Sequence, residues 1–217
     1  MEIDMPTKKQ TPRTQPTPEG WPVAWPYPVD YEKENRVTAD VLVLGGGLAG
    51  CFAAISAARK GLKVVLVDKS AVLHSGAAGS GIDHWMFCPS NPAGKVNPEE
   101  YTLDPILRYK GGYGNAVADY ITARDSWETL LELEKMGMKI RDTDDVFKGA
   151  PFRDEQTKLL FAYDYETNTC IRIWGTGMKP ALYKECKRLG VEIVERAMVT
   201  GLLNENGLPG NRVVGAT

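Results

Sequence analysis

The chain has 217 residues and a formal net charge of -2, from 26 basic and 28 acidic side chains. That length can bury a core, and the balanced charge excludes the strong positive field typical of nucleic-acid-binding proteins. Four cysteines lack any CxxC spacing and only two histidines accompany them. The sequence therefore predicts no metal site and a reducing, cytoplasmic location.

The first 36 residues are predicted to form an extended arm. They hold seven of the 14 prolines, interspersed with the aromatic residues Trp21, Trp25, Tyr27 and Tyr31. Proline fixes the backbone and removes a hydrogen-bond donor, so this composition is typical of polyproline-like or irregular structure. We expect residues 1–19 to be a disordered tail and the aromatic half to pack against the domain or a partner.

Residues 37–217 are predicted to form one domain that opens with a strand, a turn and a helix. The run ADVLVL at 39–44 is short, apolar and valine-rich, which predicts a strand buried on both faces of a parallel sheet. A helix over 48–60 follows, and a second buried strand over 63–67 completes a right-handed βαβ unit.

An uncharged stretch at 41–58 reaches the length of a short membrane-spanning helix. Gly45, Gly46, Gly47 and Gly50 lie in its middle, where they weaken a continuous helix. We therefore predict a strand, a turn and a helix here rather than a membrane span.

The remainder of the domain is predicted from less regular patterns. Small residues at 70–81 predict a loop, and Asn-Pro pairs predict turns in an irregular stretch beyond it. The acidic run at 142–145 indicates a solvated loop. Apolar periodicity and terminal signals predict helices at 115–136 and 179–189, and strands at 192–199, 201–204 and 212–216.

Three glycines match the dinucleotide-binding spacing GxGxxG. Gly45 allows the tight turn, Gly47 lets the backbone approach a pyrophosphate, and Gly50 lets the helix pack closely. The helix N-terminus offers N–H groups to the phosphates, while Asp68, which ends the second strand, can accept hydrogen bonds from ribose hydroxyls. Its carboxylate would repel a 2′-phosphate, which argues against NADP. The alternatives are glycines that only form a turn, and NAD in place of FAD.

The segment HSGAAGSG at 74–81, following LVDKSAVL, resembles the flavin-contacting loop of the fumarate reductase, succinate dehydrogenase and adenylylsulfate reductase flavoprotein family. In that family, small residues let backbone amides approach the flavin and the pyrophosphate. The segments at 111–140 and 171–203 and the run NRVVGA are also similar to the family. Within them, the G-x-x-x-K-P stretch at 175–180 is closer to adenylylsulfate reductase.

The resemblance implies an α/β fold, a Rossmann-like FAD-binding domain with a parallel central sheet, of which residues 37–217 form the first part. The family's capping domain and its catalytic arginine and histidine positions have no counterpart in this chain. The chain is therefore interpreted as a fragment or as one of two polypeptides, with its catalytic residues unknown. The predicted FAD-binding residues are Gly45, Gly47, Leu48, Ala49, Gly50, Asp68, Lys69, Ser70, His74, Ser75, Gly76, Ala77, Ala78, Gly79 and Gly81.

Two histidines and one cysteine have competing interpretations. His74 aligns with the histidine that succinate dehydrogenases and fumarate reductases join to the flavin 8α position. The Ser-Gly after it favours the non-covalent binding of adenylylsulfate reductases, with covalent attachment as the alternative. His84 is interpreted as packing or flavin-lining, because its neighbour Asp83 cannot simply orient it for catalysis. Cys51 is interpreted as a small residue packed under the pyrophosphate rather than a thiol activated by the helix dipole.

The leading functional hypothesis is a subunit of an FAD-dependent oxidoreductase that exchanges electrons between a small anionic substrate and a redox partner. The resemblance implies that partner, an iron–sulfur or other electron-transfer subunit, through which any membrane association would occur. It leaves fumarate/succinate-type and adenylylsulfate-type substrates open. The alternative is an FAD-binding electron-transfer module of a larger complex, without substrate chemistry of its own.

Overall fold

The computed structural model describes residues 34–108 and 113–217. Most of the predicted arm, including its aromatic half, lies outside these residues. In chain order, the strands and the helices longer than one turn are β1 (Val41–Leu44), α1 (Leu48–Ala58), β2 (Val64–Val67), β3 (His84–Trp85), α2 (Pro98–Arg108), α3 (Ala116–Lys135), β4 (Ile171–Arg172), α4 (Met178–Arg188), β5 (Glu192–Val194), β6 (Leu202–Asn204) and β7 (Val213–Ala216).

Three parallel strands form the central sheet, in the order β1-β2-β5. Val41 of β1 lies opposite Val64 of β2, and Val65 of β2 lies opposite Glu192 of β5. Helix α1 connects β1 to β2, as a parallel pair requires. The predicted α/β fold with a parallel central sheet is confirmed, and the sheet is small and incomplete.

Within residues 34–108 and 113–217, only one face of β1 is buried, so the prediction of burial on both faces is wrong for this strand. Val41 and Val43 pack against the hydrophobic core, which includes Ile55 of α1. Leu42 and Leu44 are 38% and 45% exposed. Successive side chains of a strand point to opposite faces, so the leucines point away from the face that the core covers.

The core lies between the sheet and helices α1, α3 and α4. Ile55, Leu130, Leu133 and Leu182 are at most 1% exposed and share one cluster with Leu66 of β2. Burying a side chain of this size contributes about 1.5–3 kcal/mol. This cluster holds the helices against the sheet and so fixes the ends of the strands.

Helix α3 begins and ends close to the predicted bounds. The side chain of Asn115 accepts a hydrogen bond of 3.1 Å from the backbone three residues later. Gly137, just after the helix, has a φ of 98°, a conformation that favours glycine at a helix end. Val117 and Ile121, two of the apolar residues whose periodicity predicted this helix, are nevertheless exposed.

The last predicted strands are present, and the one at 192–199 is shorter than expected. It ends at Val194, and Arg196 then has a φ of 57°, a left-handed conformation that interrupts extended backbone. The strands predicted at 201–204 and 212–216 form the antiparallel pair β6–β7. In the described ranges, no helix has both the length and the apolar character needed to cross a bilayer.

Helix α2 lies in a stretch that was expected to be irregular, so that prediction is wrong. The side chain of Asn97 accepts a hydrogen bond of 2.7 Å from the N–H of Glu100, which makes Asn97 the N-cap. Pro98 is the first helical residue, where its missing N–H costs no hydrogen bond. The Asn-Pro pair is therefore a helix start and not a loop turn.

The acidic run at 142–145 is a loop that is solvated at Asp144 and Asp145, as predicted, but not at Asp142. Asp142 is 3% exposed, and its carboxylate accepts hydrogen bonds of 3.0 and 2.9 Å from the N–H groups of Val146 and Phe147. The Nε of Arg153, which is itself buried, lies 2.9 Å from the same carboxylate. A buried charge needs such partners, so Asp142 organises the loop from inside.

We predict that Leu130→Ala destabilises the domain and that Val117→Ala, on the same helix, does not. Leu130 is 0% exposed and Val117 is 68% exposed. Truncating a buried leucine costs about 2–5 kcal/mol, whereas exposed substitutions stay within about 0.5 kcal/mol. Chemical unfolding of the intact protein measures both variants. Equal unfolding midpoints for the two would contradict the position of the core.

Candidate functional site

A cleft lies at the edge of the sheet where its parallel strands end. Its volume is about 510 Å³, within the range of ~300–1,000 Å³ typical of small-molecule sites. Open α/β sheets bind ligands at this edge. The lining residues come from the ends of β1 and β2, the loop after β2 and the segment after β5: Leu44, Gly45, Gly47, Val67, Asp68, Lys69, Ser70, His74, Ser75, Gly76, Ala197, Met198 and Val199.

The turn between β1 and α1 has the geometry that its glycines predict. Gly45 has a φ of 97°, a conformation that side chains disfavour. A Cβ on Gly50 would lie 1.8 Å from the carbonyl oxygen of Gly45, so only glycine allows this approach. A Cβ on Gly47 would meet nothing closer than 3.7 Å. The packing of the chain does not require glycine at Gly47, which favours ligand approach as the reason for it.

Helix α1 presents its N-terminus beside this turn. Gly47 cannot cap it with a side chain, and its first turn contains no acidic residue. The first N–H groups of a helix lack carbonyl partners within the helix, and with the helix dipole they attract anions. Leu48, Ala49 and Gly50 form this first turn but are not among the residues that line the cleft, so their contact with FAD stays a prediction.

Asp68 lines the cleft at the end of β2 and is only 7% exposed. Its carboxylate accepts hydrogen bonds of 2.6 Å from the N–H of Gly46 and 2.7 Å from the N–H of Ser70. Burial acts to raise the pKa of Asp68, but these bonds, the Ser75 hydroxyl and the charge of Lys179 hold the pKa below its ordinary value. The ionised carboxylate can still accept a hydrogen bond from a ligand hydroxyl.

The first half of the predicted flavin loop folds against the glycine turn. A Cβ on Gly76 would lie 2.9 Å from the Cα of Gly47, so the two backbones are in contact. The buried Ser75 donates a hydrogen bond of 2.9 Å to the carbonyl of Gly46. His74 is exposed and lines the cleft, together with the predicted residue Lys69.

The second half of this loop is held by the chain's own packing. A Cβ on Gly79 would lie 2.0 Å from the carbonyl oxygen of His74, and one on Gly81 would lie 3.0 Å from the backbone of Thr176. These glycines are required by the fold itself. The predicted residues that do not line the cleft here are Ala77, Ala78, Gly79 and Gly81, and their contact with FAD stays a prediction.

Five cleft residues are absent from the predicted site: Leu44 and Val67 at the ends of β1 and β2, and the segment Ala197, Met198 and Val199 after β5. The last three lie furthest from the predicted residues in the sequence. A sequence signal for them exists, because the third parallel strand must end at the same edge as the first two. The predicted strand at 192–199 extended through these residues and so hid the loop that they form.

His84 lies outside the cleft lining. Its ring stacks on Tyr163, with ring centroids 3.9 Å apart, in agreement with the packing interpretation. The carboxylate of Asp83 contacts Nδ1 of His84, and both side chains are exposed; the expectation that this pair is not a catalytic dyad stays a prediction.

Cys51 is fully buried beneath the glycine turn, as the packing interpretation predicts. Its thiol lies 3.3 Å from the carbonyl oxygen of Gly46. A hydrogen bond with the Cys186 thiol lowers the pKa of Cys51; burial acts against this, and the charge of Lys179 lowers the pKa further. All four cysteines are free, and the described residues contain no His/Cys/Asp/Glu group able to hold a metal.

The cleft fits a dinucleotide. The space around the backbone of Gly47 and the start of α1, which no side chain caps, suit a pyrophosphate. The buried carboxylate of Asp68 suits a ribose. The exposed His74 and the loop after it continue the cleft beyond these groups.

Comparison with known proteins agrees with this fit. Residues 40–217 match a family described as FAD binding domain. The chain is 29% identical over 181 residues to the acrylate reductase flavoprotein subunit of Shewanella woodyi, covering 82% of this chain and 33% of that protein. It is 28% identical over 182 residues to a subunit of the fumarate reductase (CoM/CoB) of Methanothermobacter marburgensis, covering 77% of this chain and 29% of that protein.

A solved structure is similar over the same region. Adenylylsulfate reductase from Archaeoglobus fulgidus is 30% identical, with a TM-score of 0.66, and the match covers 83% of this chain and 27% of that one. The chain spans about a third of the length of the curated relatives it matches. The resemblance inferred from the glycine turn and the 74–81 loop is confirmed. This chain belongs to the FAD binding domain family, and FAD is its cofactor.

Proposed function

We propose that this chain is the cofactor-binding part of a flavoprotein subunit that exchanges electrons between a small anionic substrate and a redox partner. The observation that carries the proposal is the single cleft shared by the glycine turn, Asp68 and the loop that begins at His74. The names of the relatives support the substrate class, because acrylate, fumarate and adenylylsulfate are all small anions. FAD, when bound, supplies hydride exchange at its N5 atom.

The chain's own residues bind and orient the cofactor in this function. Asp68 accepts hydrogen bonds from the ribose, and the N–H of Gly47 and the start of α1 hold the pyrophosphate. Ser75 and Gly76 bring the next loop against the turn.

A partner that exchanges electrons is part of the proposal. Both curated relatives are named as subunits, which supports a multi-subunit assembly. An iron–sulfur or other electron-transfer subunit is the class of partner that such a flavoprotein needs. The free cysteines support a reducing, cytoplasmic location, and any membrane association would come through the partner.

The substrate class is tested on the intact protein, reduced without oxygen and mixed with fumarate, acrylate or adenylylsulfate. We expect at least one of these anions to restore the absorption of oxidised flavin, and a neutral control, dimethyl fumarate or acrylamide, to fail. Reoxidation by an artificial electron acceptor alone would contradict the substrate class and favour an electron-transfer module without substrate chemistry.

We predict that Asp68→Asn weakens FAD binding by roughly 10- to 150-fold. This range corresponds to about 1.5–3 kcal/mol for a hydrogen bond to a charged group. The matched control is Asp40→Asn, because Asp40 also accepts a backbone hydrogen bond, of 2.8 Å from Lys63, but lies at the other end of the strands. Flavin fluorescence titration of the intact protein measures both, and equal affinities for the two variants would refute the role of Asp68.

The attachment of FAD is expected to be non-covalent. His74 is exposed on the cleft, but the Ser-Gly that follows it is similar to reductases without a flavin bond. Under denaturing electrophoresis, the flavin fluorescence should leave the polypeptide. A fluorescent protein band that His74→Ala abolishes would establish the covalent alternative instead.

A further inference from the structure

A buried lysine lies behind the glycine turn. Lys179 is the second residue of α4 and is 2% exposed. Its Nζ donates a hydrogen bond to the carbonyl of Gly46 and lies 3.4 Å from the Sγ of Cys51. Among the described residues, these are its hydrogen-bond partners, and neither is a carboxylate.

This position has a cost in stability, because Lys179 forms no direct ion pair with a described carboxylate. Removing an ammonium group from water costs free energy unless a counter-charge accompanies it. A cation in the first turn of a helix also opposes the helix dipole, and the first turn of α4 contains no acidic residue. Such departures from favourable placement are expected mainly at functional sites.

The carbonyl of Gly46 is the point on which these groups converge. It accepts hydrogen bonds from Lys179, from the Ser75 hydroxyl at 2.9 Å and from the Cys51 thiol at 3.3 Å. The N–H of Gly46 donates to Asp68 at 2.6 Å. Glycine has no side chain to restrict its backbone conformation. These hydrogen bonds therefore hold the backbone of Gly46 in place.

The direction of this carbonyl determines where the next N–H points. The C=O of Gly46 and the N–H of Gly47 belong to one planar peptide, and the described residues contain no cis peptide bond. In a trans peptide these two groups point in opposite directions. With the carbonyl turned inward to Lys179, the N–H of Gly47 points outward, on the side where Gly47 lines the cleft.

We propose that Lys179 is a positioning residue for FAD. It holds the Gly46–Gly47 peptide so that the N–H of Gly47 faces the pyrophosphate, and through the N–H of Gly46 it holds Asp68 for the ribose. This inference rests on the proposed binding of the dinucleotide in the cleft. The field of Lys179 also reaches the site, since it contributes to lowering the pKa of Asp68.

The test compares Lys179→Met in the intact apoprotein with Lys184→Met, which removes the same charge from an exposed position of α4. The probes are FAD and ADP, because ADP contains the ribose and pyrophosphate but no flavin. Lys179→Met should raise the Kd of both probes by the same factor, about tenfold, as expected if the competent turn is populated about a tenth of the time. Lys184→Met should leave both Kd values unchanged.

A double-mutant cycle distinguishes positioning from a general loss of structure. Lys179 and Ser75 donate to one carbonyl, so Lys179→Met with Ser75→Ala should weaken ADP binding by more than the product of the single factors. A control cycle that combines Lys179→Met with Asp40→Asn should weaken ADP binding only by the product of the two single factors. Independence of Lys179 and Ser75 would overturn the proposal, as would unchanged FAD and ADP affinities in Lys179→Met.

Two further outcomes are decisive. If Lys179→Met does not fold, Ser75→Ala replaces it, with Ser56→Ala, at an exposed position of α1 outside the cleft, as its control. FAD and ADP must then weaken by the same factor in Ser75→Ala alone, and equal affinities in both serine variants overturn the proposal. If the unaltered protein binds neither probe, the proposed function fails, and this inference fails with it.

Discussion

The contact between Gly50 and the carbonyl of Gly45 determines how the cleft is built. A Cβ on Gly50 would lie 1.8 Å from that oxygen, so the helix can begin directly at the end of β1 only because no side chain is present. This approach brings the start of α1 beside the end of β2, where Asp68 reaches the N–H of Gly46. The turn thus packs against helix α1 at Gly50 and is hydrogen-bonded to Asp68 at the end of β2.

The local parts of this arrangement could be predicted from the sequence. Strand period, helix period and turn glycines depend on near neighbours in the chain, so the βαβ unit and the ends of α3 were predicted to within a few residues. Helix α2 was missed because an Asn-Pro pair has two local meanings, a turn or a capped helix start. Only the hydrogen bond from Glu100 to Asn97 distinguishes them.

The candidate site was harder to predict, because a glycine in the sequence does not show whether the fold or a ligand requires it. Gly47 has room around it that the fold does not need, whereas Gly79 is forced by the carbonyl of His74. In the sequence both are simply glycines in a small-residue segment. The segment at 197–199 and Lys179 reach the turn from distant parts of the chain, which periodicity cannot report. The resemblance identified the cofactor class, but contacts between elements determine which residues line the cleft.

The buried charges of this domain show two different reasons for burial. Asp142 and Arg153 are both buried and lie 2.9 Å apart, and Asp142 also accepts backbone hydrogen bonds that shape its loop. Their burial is accounted for by local structure, since each ion has its counter-charge. Lys179 has a carbonyl and a thiol instead, at the end of a helix whose dipole opposes it. Its charge contributes to lowering the pKa values of Asp68 and Cys51, and its hydrogen bond holds the peptide between Gly46 and Gly47, whose direction decides whether the turn can receive an anion.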